Sequence, residues 1–397
     1  MRFPEFSGEW DITTIGEISN IKNGPFGSVL HAEDYVSDGI PIVTTEHFKS
    51  GSLPIVKDGI PQVSEQDYIR LKGYKLQTND IVFSRVGSVD INAYVSDTQN
   101  GWLFSGRVLR VRPISSVNSL CLHFVLSTEK VKQGIRSRAV GQTMPSINTP
   151  ILSTTNIFLP KSLEEQRKIS IFLALIDARL ETQKKIIEDL KKLKDAISKS
   201  LFSRSDLLEK KIQLSQAGTL KNGYAFQSSS YASSGEYEII TIANVTGERY
   251  ICTEGCNRIH TLPSDLQLHQ ELKDGDILIS LTGNVGRVSL CKKGKYLLNQ
   301  RVGLFQLKAG INREFVYQAL SSRKFELNMI SCGKGAAQMN ISKGDVESFE
   351  IPYSNISQNL KSVSLILKSY DKLVLTESMR LQLLLSQKQY FIANMFI

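Results

Sequence analysis

Between residues 163 and 202, apolar side chains return at steps of four and three: Ile169, Leu173, Ile176, Leu180, then Ile187, Leu190, Ile197 and Leu201. This is a heptad seam, and it predicts a long helix that needs a second helix along it. A matching seam closes the chain in Val363, Leu367, Tyr370, Val374, Leu381, Leu384, Phe391 and Met395, each at one constant offset from its counterpart. The interruptions match too: Gln183 and Lys194 in the first seam, Glu377 and Lys388 in the second. Polar seam residues fix register at a cost in stability, and for the lysines a stem snorkelling off the seam is an equal explanation. Elsewhere the pattern is of short apolar runs bounded by turn residues. Asp80-Ile81-Val82-Phe83 and Asp276-Ile277-Leu278-Ile279 read as buried strands entered by a turn.

The two halves repeat in order. "ISNIKNGPFGSVLHAEDY" from Ile18 corresponds to "QAGTLKNGYAFQSSSY" from Gln216, "TNDIVFSRVGSV" from Thr78 to "DGDILISLTGNV" from Asp274, and "SGRVLRVRP" from Ser105 to "NQRVGLFQL" from Asn299. Such repetition decides architecture. Only a few residues around "SRSD" (from Ser203) join the first helix to the second globular half, so the helix ends that meet there force an antiparallel pair. The expected fold is α+β: two α/β domains, 1–158 and 205–352, separated by a long antiparallel two-helix coiled coil formed by 159–204 and 353–397, with a pseudo-two-fold repeat. A helix of about 40 residues is about 60 Å long, more than one turn of B-DNA at roughly 34 Å.

At 397 residues the chain exceeds one ordinary core. No run approaches the roughly 20 apolar residues of a membrane span, and "MRFPEFSGEW" has no leader pattern, so a cytoplasmic protein without a membrane partner is expected. Five scattered cysteines read as reduced thiols. The net charge of +9 suits a polyanionic partner.

Catalytic patterns are missing. There is no G-x-x-x-x-G-K-[ST], H-E-x-x-H, G-x-S-x-G or G-x-G-x-x-G after a strand, and no Asn/Asp-Pro-Pro-aromatic methylation motif. "GNVG" (from Gly283) lacks the Lys-Ser/Thr of a phosphate cradle, and "HAED" (from His31) lacks the Pro-Cys-x-x-Cys of zinc deaminases. Cys252-x3-Cys256-x3-His260 has no obvious fourth ligand and no counterpart in the first half, so it reads as a surface loop and no metal is expected. What remains is a set of basic and amide side chains in loop-like contexts, the chemistry of phosphate and base-edge contact. In the first half these are Lys22, Asn23, Lys49, Arg85, Arg107, Arg136, Arg138 and Gln142; in the second, Lys221, Asn222, Asn244, Arg249, Asn284, Arg287, Arg301, Lys334, Gln338 and Asn340. "GIRSRAVGQTMPS" (from Gly134) and "SCGKGAAQMN" (from Ser331) occupy equivalent places.

Over essentially its whole length the chain resembles the specificity subunits of type I restriction-modification systems. The carriers are "NGPFGS" (from Asn23), "NGYAF" (from Asn222) and "LPKSLEEQRKI" (from Leu159), the last similar to the family's central conserved region. The resemblance implies a non-catalytic DNA-recognition subunit whose two target-recognition domains each bind one half of a bipartite sequence in double-stranded DNA. It implies that the helices set the spacing and dock two methyltransferase subunits, and that restriction and translocase subunits join that core. No cofactor is expected on this chain; S-adenosylmethionine belongs to the methyltransferase. The second helix opens with "SNISQNLKSV" (from Ser354), keeping Gln358 but losing the acidic pair of "SLEEQRKI", so an equivalent second docking contact is open. The rival from another class is a two-headed scaffold whose coiled coil and heads bind proteins. Salt-sensitive, sequence-selective binding to a split duplex site separates the first reading from the second.

Overall fold

The computed structural model describes residues 2–25, 30, 32–333 and 339–396. The chain divides into two compact units, one of residues 1–183 with 380–397 and one of residues 184–379. Both divisions fall inside long helices, Leu163–Phe202 and Ser357–Met395, so each helix is shared between a unit at each of its ends. The junctions expected at 158/159 and 352/353 fall instead within the strands Asn156–Leu159 and Glu350–Tyr353.

In the first unit, Ser19–Asn23, Val108–Pro113, Ile81–Ser84 and Asn92–Tyr94 form an antiparallel sheet in that order. Its equivalent in the second unit is Gly218–Asn222, Val302–Leu307, Ile277–Ser280 and Val288–Leu290, again antiparallel and in the same order. A second sheet in each unit contains a parallel pair, Ile40–Val43 with Leu103–Phe104 and Tyr237–Ile240 with Tyr296–Leu298. A two-stranded ribbon closes each unit beside its long helix: Asp11–Thr14 on Asn156–Leu159, and Lys210–Gln213 on Glu350–Tyr353. The runs opened by Asp80 and Asp276 are therefore strands, as their apolar pattern predicts, and every residue of Ile81–Ser84 and Ile277–Ser280 is buried. Each aspartate holds the turn before its strand by accepting an amide hydrogen bond, from Gln77 and from Lys273 respectively, both at 2.8 Å.

The helical seams are the other half of each core. In the first unit, Ile169 and Leu173 are buried in one cluster with Ile81, Phe83, Leu109 and Val111, together with Met395 and Phe396 from the chain's end. In the second, Leu360, Val363 and Leu367 join Ile277, Ile279 and Phe305, with Ile197, Leu201 and Phe202 packed against them. Pairing is antiparallel within each unit. In the first, Phe172 stacks edge-on with Phe391 and Asp177 meets Lys388 at 2.5 Å; in the second, Lys194 meets Asp371 at 2.5 Å while 197–202 pack with 360–367. Leu180, Val374 and Leu384 are buried, and Ile176, Ile187, Leu190, Tyr370 and Leu381 half-buried. Gln183 is buried within its seam as well, so these helices serve as core helices and as a seam at once.

The opening phrase of the first helix has an intramolecular explanation. Ser162 caps it by accepting from the Glu165 amide at 3.3 Å, and the acids of the first turn suit the helix N-terminus. The buried Glu165 carboxylate accepts from Arg2 at 2.7 and 2.8 Å and from the Trp10 indole at 3.3 Å. Gln166, also buried, donates to the Pro160 carbonyl and accepts from the Asn118 amide. Gln358 does not repeat this. It is exposed, and the position matching Gln166 at the seam's own offset is Leu360, buried in the second core. The departure at "SNISQNLKSV" thus exchanges a polar tie for an apolar one.

Candidate nucleic-acid interface

At one end of each antiparallel sheet, three separate segments are drawn together by backbone hydrogen bonds, and the two units do this with the same pattern. In the first unit the Arg85 amide donates to the Arg107 carbonyl at 3.0 Å, the Ile147 amide to the Arg85 carbonyl at 2.9 Å, and the Gly87 amide to the Pro145 carbonyl at 2.8 Å. In the second, Leu281 donates to Arg301 at 3.0 Å, Ile341 to Leu281 at 2.9 Å and Gly283 to Met339 at 3.0 Å. The "NG" motifs belong to the same cluster. A Cβ on Gly24 would stand 1.9 Å from the Ser105 carbonyl oxygen, and one on Gly223 2.2 Å from that of Asn299, so each glycine is required by the turn that precedes Arg107 or Arg301.

This cluster gathers Asn23, Arg85 and Arg107, with 140–146 beside them, and in the second unit Asn284, Arg301 and Asn340. Arg107, Gln142, Asn284, Arg301 and Asn340 are exposed there. Arg85 is half-buried, donating to the Ile147 and Gly106 carbonyls at 3.3 and 3.2 Å, and Asn23 accepts from Thr149. The matching position in the second unit is the buried Leu281, so the clusters share a backbone and differ in side chains. Lys221 and Arg287 are half-buried and Asn222 exposed, its carbonyl accepting from His269 at 3.0 Å. Lys22 lies over the Tyr74 ring and donates to the Gly73 carbonyl, and exposed Lys49 pairs with Glu46. Lys334 and Gln338 lie outside the described residues.

Four candidates are engaged by partners within their own unit. Asn244 is only 4% exposed; its amide accepts from the Thr241 amide and hydroxyl and donates to Cys252 O and Cys256 Sγ, which spends it on its own loop. Arg249 forks onto Glu314 at 2.6 and 2.8 Å and reaches Asp371 at 2.8 Å. Arg138 is turned inward onto the Gly134 carbonyl and the Thr154 and Thr155 hydroxyls. Arg136 is neutralised by Asp90 and Glu129. Loop composition marked these residues as available, whereas folding supplies each with partners, some from its own loop or helix turn, as for Asn244 and Arg138, and some from remote segments, as with Asp90 for Arg136 and Glu314 and Asp371 for Arg249. The Cys256 thiol is pushed up to about 11, chiefly by burial, while Cys252 and His260 are exposed. Among the described residues no three His, Cys, Asp or Glu side chains come together as a metal site would need. Among them, too, no helix is long and apolar enough to cross a membrane.

Two electrostatic features were not legible in advance. Asp80, almost fully buried, is gripped by Arg112 through two bonds of 2.6 and 2.7 Å, whereas Asp276 has no such fork and burial raises its pKa. In the second unit Arg249, Glu314, Gln318, Asp371 and Lys194 form one network, Gln318 donating to both carboxylates. Burial acts to raise the Glu314 pKa, but the Arg249 and Gln318 bonds and the Arg249 charge hold it below the ordinary value.

A family model described as the type I restriction modification DNA specificity domain matches twice, over residues 7–192 and 209–385. A Methanocaldococcus jannaschii protein, provisionally named the type I restriction enzyme MjaX specificity subunit, is 26% identical over 93% of this chain and 88% of its own length. The type I restriction enzyme MjaVIII specificity subunit of the same organism is 22% identical over 50% of this chain and 47% of its own. Among solved structures, the type I restriction-modification S subunit from M. genitalium has TM-score 0.58 at 16% identity, covering 100% of this chain and 99% of that one. A chain from a structure of a type I R-M system, described for complex assembly and conformational transition, has TM-score 0.54 at 13% identity, covering 99% and 98%. With the family model spanning both halves in the order of the internal repeat, the chain belongs to the type I restriction-modification DNA specificity family.

Proposed function

We propose that each unit reads one half of an asymmetric bipartite sequence in double-stranded DNA, through the cluster of turns at the end of its antiparallel sheet. The observation that carries this is the pair of hydrogen-bond patterns just described: one backbone scaffold, built twice, presenting different side chains. Identical frameworks with different exposed groups suit two different half-sites and hence a non-palindromic target. The exposed cations would supply salt-dependent affinity, and the amides and any arginine reaching a guanine would supply discrimination.

The long helices would set the distance between half-sites and dock two methyltransferase subunits, with restriction and translocase subunits joining them. Supporting this, Ile171, Leu175, Leu365, Met379 and Leu383 are exposed apolar residues along the two helices, an arrangement that suits further helices. Removing one turn from both helices, about 5.4 Å, is expected to shorten the spacer by one or two base pairs. Methyl transfer from S-adenosylmethionine and adenine flipping would be the partner's chemistry, and this chain alone would be inactive.

The test is co-expression with a partner methyltransferase followed by genome-wide mapping of N6-methyladenine. A split, asymmetric motif that appears only with this chain supports the reading; no motif, or an uninterrupted palindrome, overturns it.

A further inference from the structure

The segment 134–146 is basic in sequence, yet the structure inverts its character. Arg136 and Arg138, its two cations, are held by acids, carbonyls and hydroxyls of the same unit. Arg136 is exposed but paired with Asp90 and Glu129, and beyond it the outward-facing residues of 140–144 are uncharged: Val140 is 66% exposed and Met144 61%, with exposed Gln142 between them. These residues stand on a hairpin closed at its base. Val140 and Ser146 exchange both amide bonds at 2.9 Å, Gly141 takes a φ of +102° at the bend, and Gly87 N–H fastens Pro145 to the neighbouring turn at 2.8 Å. Arg85 and Arg107 flank the hairpin's base through the Ile147 and Arg107 backbone bonds.

A tip without an available cation is a poor phosphate ligand, and two apolar side chains held out in water gain nothing from the fold. The remaining chemistry at a DNA surface is the base edge. An A·T pair offers in the major groove both groups that this tip matches, a thymine methyl for an apolar side chain and the adenine N6/N7 pair for a glutamine amide. Resting on the DNA-recognition reading above, we propose that the 140–146 hairpin reads an A·T base pair, with Met144 packed on the thymine methyl and Gln142 bonded to adenine.

The experiment uses the chain in complex with its methyltransferase, after its motif has been mapped. Each thymine in both half-sites is replaced in turn by deoxyuridine, which removes the methyl and keeps the pairing, and duplex affinity is measured at fixed salt. With the unaltered chain, one replacement is expected to weaken binding about fourfold, the value of one buried methyl. With Met144→Ala the same replacement should cost nothing further. Gln142→Ala should weaken binding about tenfold and relax methylation specificity at that same pair. Full additivity of Met144→Ala with every deoxyuridine, or half-sites in which no A·T pair is required, overturns the hairpin's role while the bipartite motif itself stands. Absence of any bipartite motif instead overturns the underlying functional reading, and the hairpin's role with it.

Discussion

Asp177 and Asp371 occupy equivalent positions in the two long helices, and each meets a lysine of the opposite helix, Lys388 or Lys194. The surroundings differ. Asp177 is 35% exposed and Lys388 27%, whereas Asp371 is 7% exposed and also bonds Arg249 and Gln318. The cause lies in the short helix beneath. Arg313–Leu320 carries Glu314 and Gln318, whereas its counterpart Ser119–Leu126, capped alike by an asparagine, carries Leu120 and Phe124 there. Lys388 consequently sits over the Phe124 ring, 5.8 Å from its centroid, where Lys194 enters an ionic network. At this one level of the repeat, the short helix thus meets the long ones through an aromatic ring in one unit and through a balanced set of buried charges in the other.

The largest expected effect comes from unbalancing that network. Asp371→Ala leaves Arg249 and Lys194 without their shared carboxylate and should cost about 3–5 kcal/mol in urea unfolding. Asp177→Ala, removing an ion pair that water still reaches, should cost about 1 kcal/mol or less. Equal losses would erase the distinction between the units. Leu173→Ala and Leu367→Ala are a control of the opposite kind: both leucines are fully buried at equivalent seam positions, and each should cost about 2–5 kcal/mol by the same measurement. A marked difference between them would locate the asymmetry in packing rather than charge.

An effect of intermediate size is expected with pH. His123, at the position matching Tyr317, is buried and bonded to Asn92; burial, aided by the Lys388 and Lys132 charges, pushes its pKa down to about 3. The unfolded histidine binds a proton near pH 6.5 while the folded one does not, so this contribution is complete above about pH 6.5 and is lost as the pH falls towards 3. Thermal scans between pH 7 and 4 should show the first unit weakening, and His123→Gln should flatten that slope. An unchanged slope would remove His123 from the account. The smallest effect concerns DNA: Arg107→Ala and Arg301→Ala should each lower the salt dependence of binding by about one unit of slope. If only one of them does so, the two turn clusters are not used alike.

Much of the fold was legible because periodicity and repetition are written into the chain. The heptads marked the long helices, the runs after Asp80 and Asp276 marked central strands, and the order of matched phrases marked two equivalent units. The candidate interface was legible in part. "NG", Arg107 and Arg301 fell on the turns that the fold gathers, but Asn244 and Arg249 are drawn inside, and the half-buried Arg138 and exposed Arg136 are already paired within their own unit. Their partners, Cys252, Asp90, Thr155 and Glu314, gave no local signal, since a charge is identified by sequence and its neutralisation only by contact. Met144 was passed over for the complementary reason: an apolar residue in a loop looks ordinary until the two arginines of its own segment, Arg136 and Arg138, are seen to be paired elsewhere.

By itself the sequence determined the two repeated units, the long helices and the direction in which they pair, because side-chain spacing and chain connectivity leave little freedom there. Tertiary structure alone decided which charges face water. It placed Glu165, Gln166 and Asp371 in the interior, drew Arg249 into an ionic network and Arg138 onto neighbouring hydroxyls, and left the Met144 hairpin as an uncharged tip. The reason is physical: burying an ionic or amide group is tolerable only beside a partner, and those partners come from segments far apart in the chain.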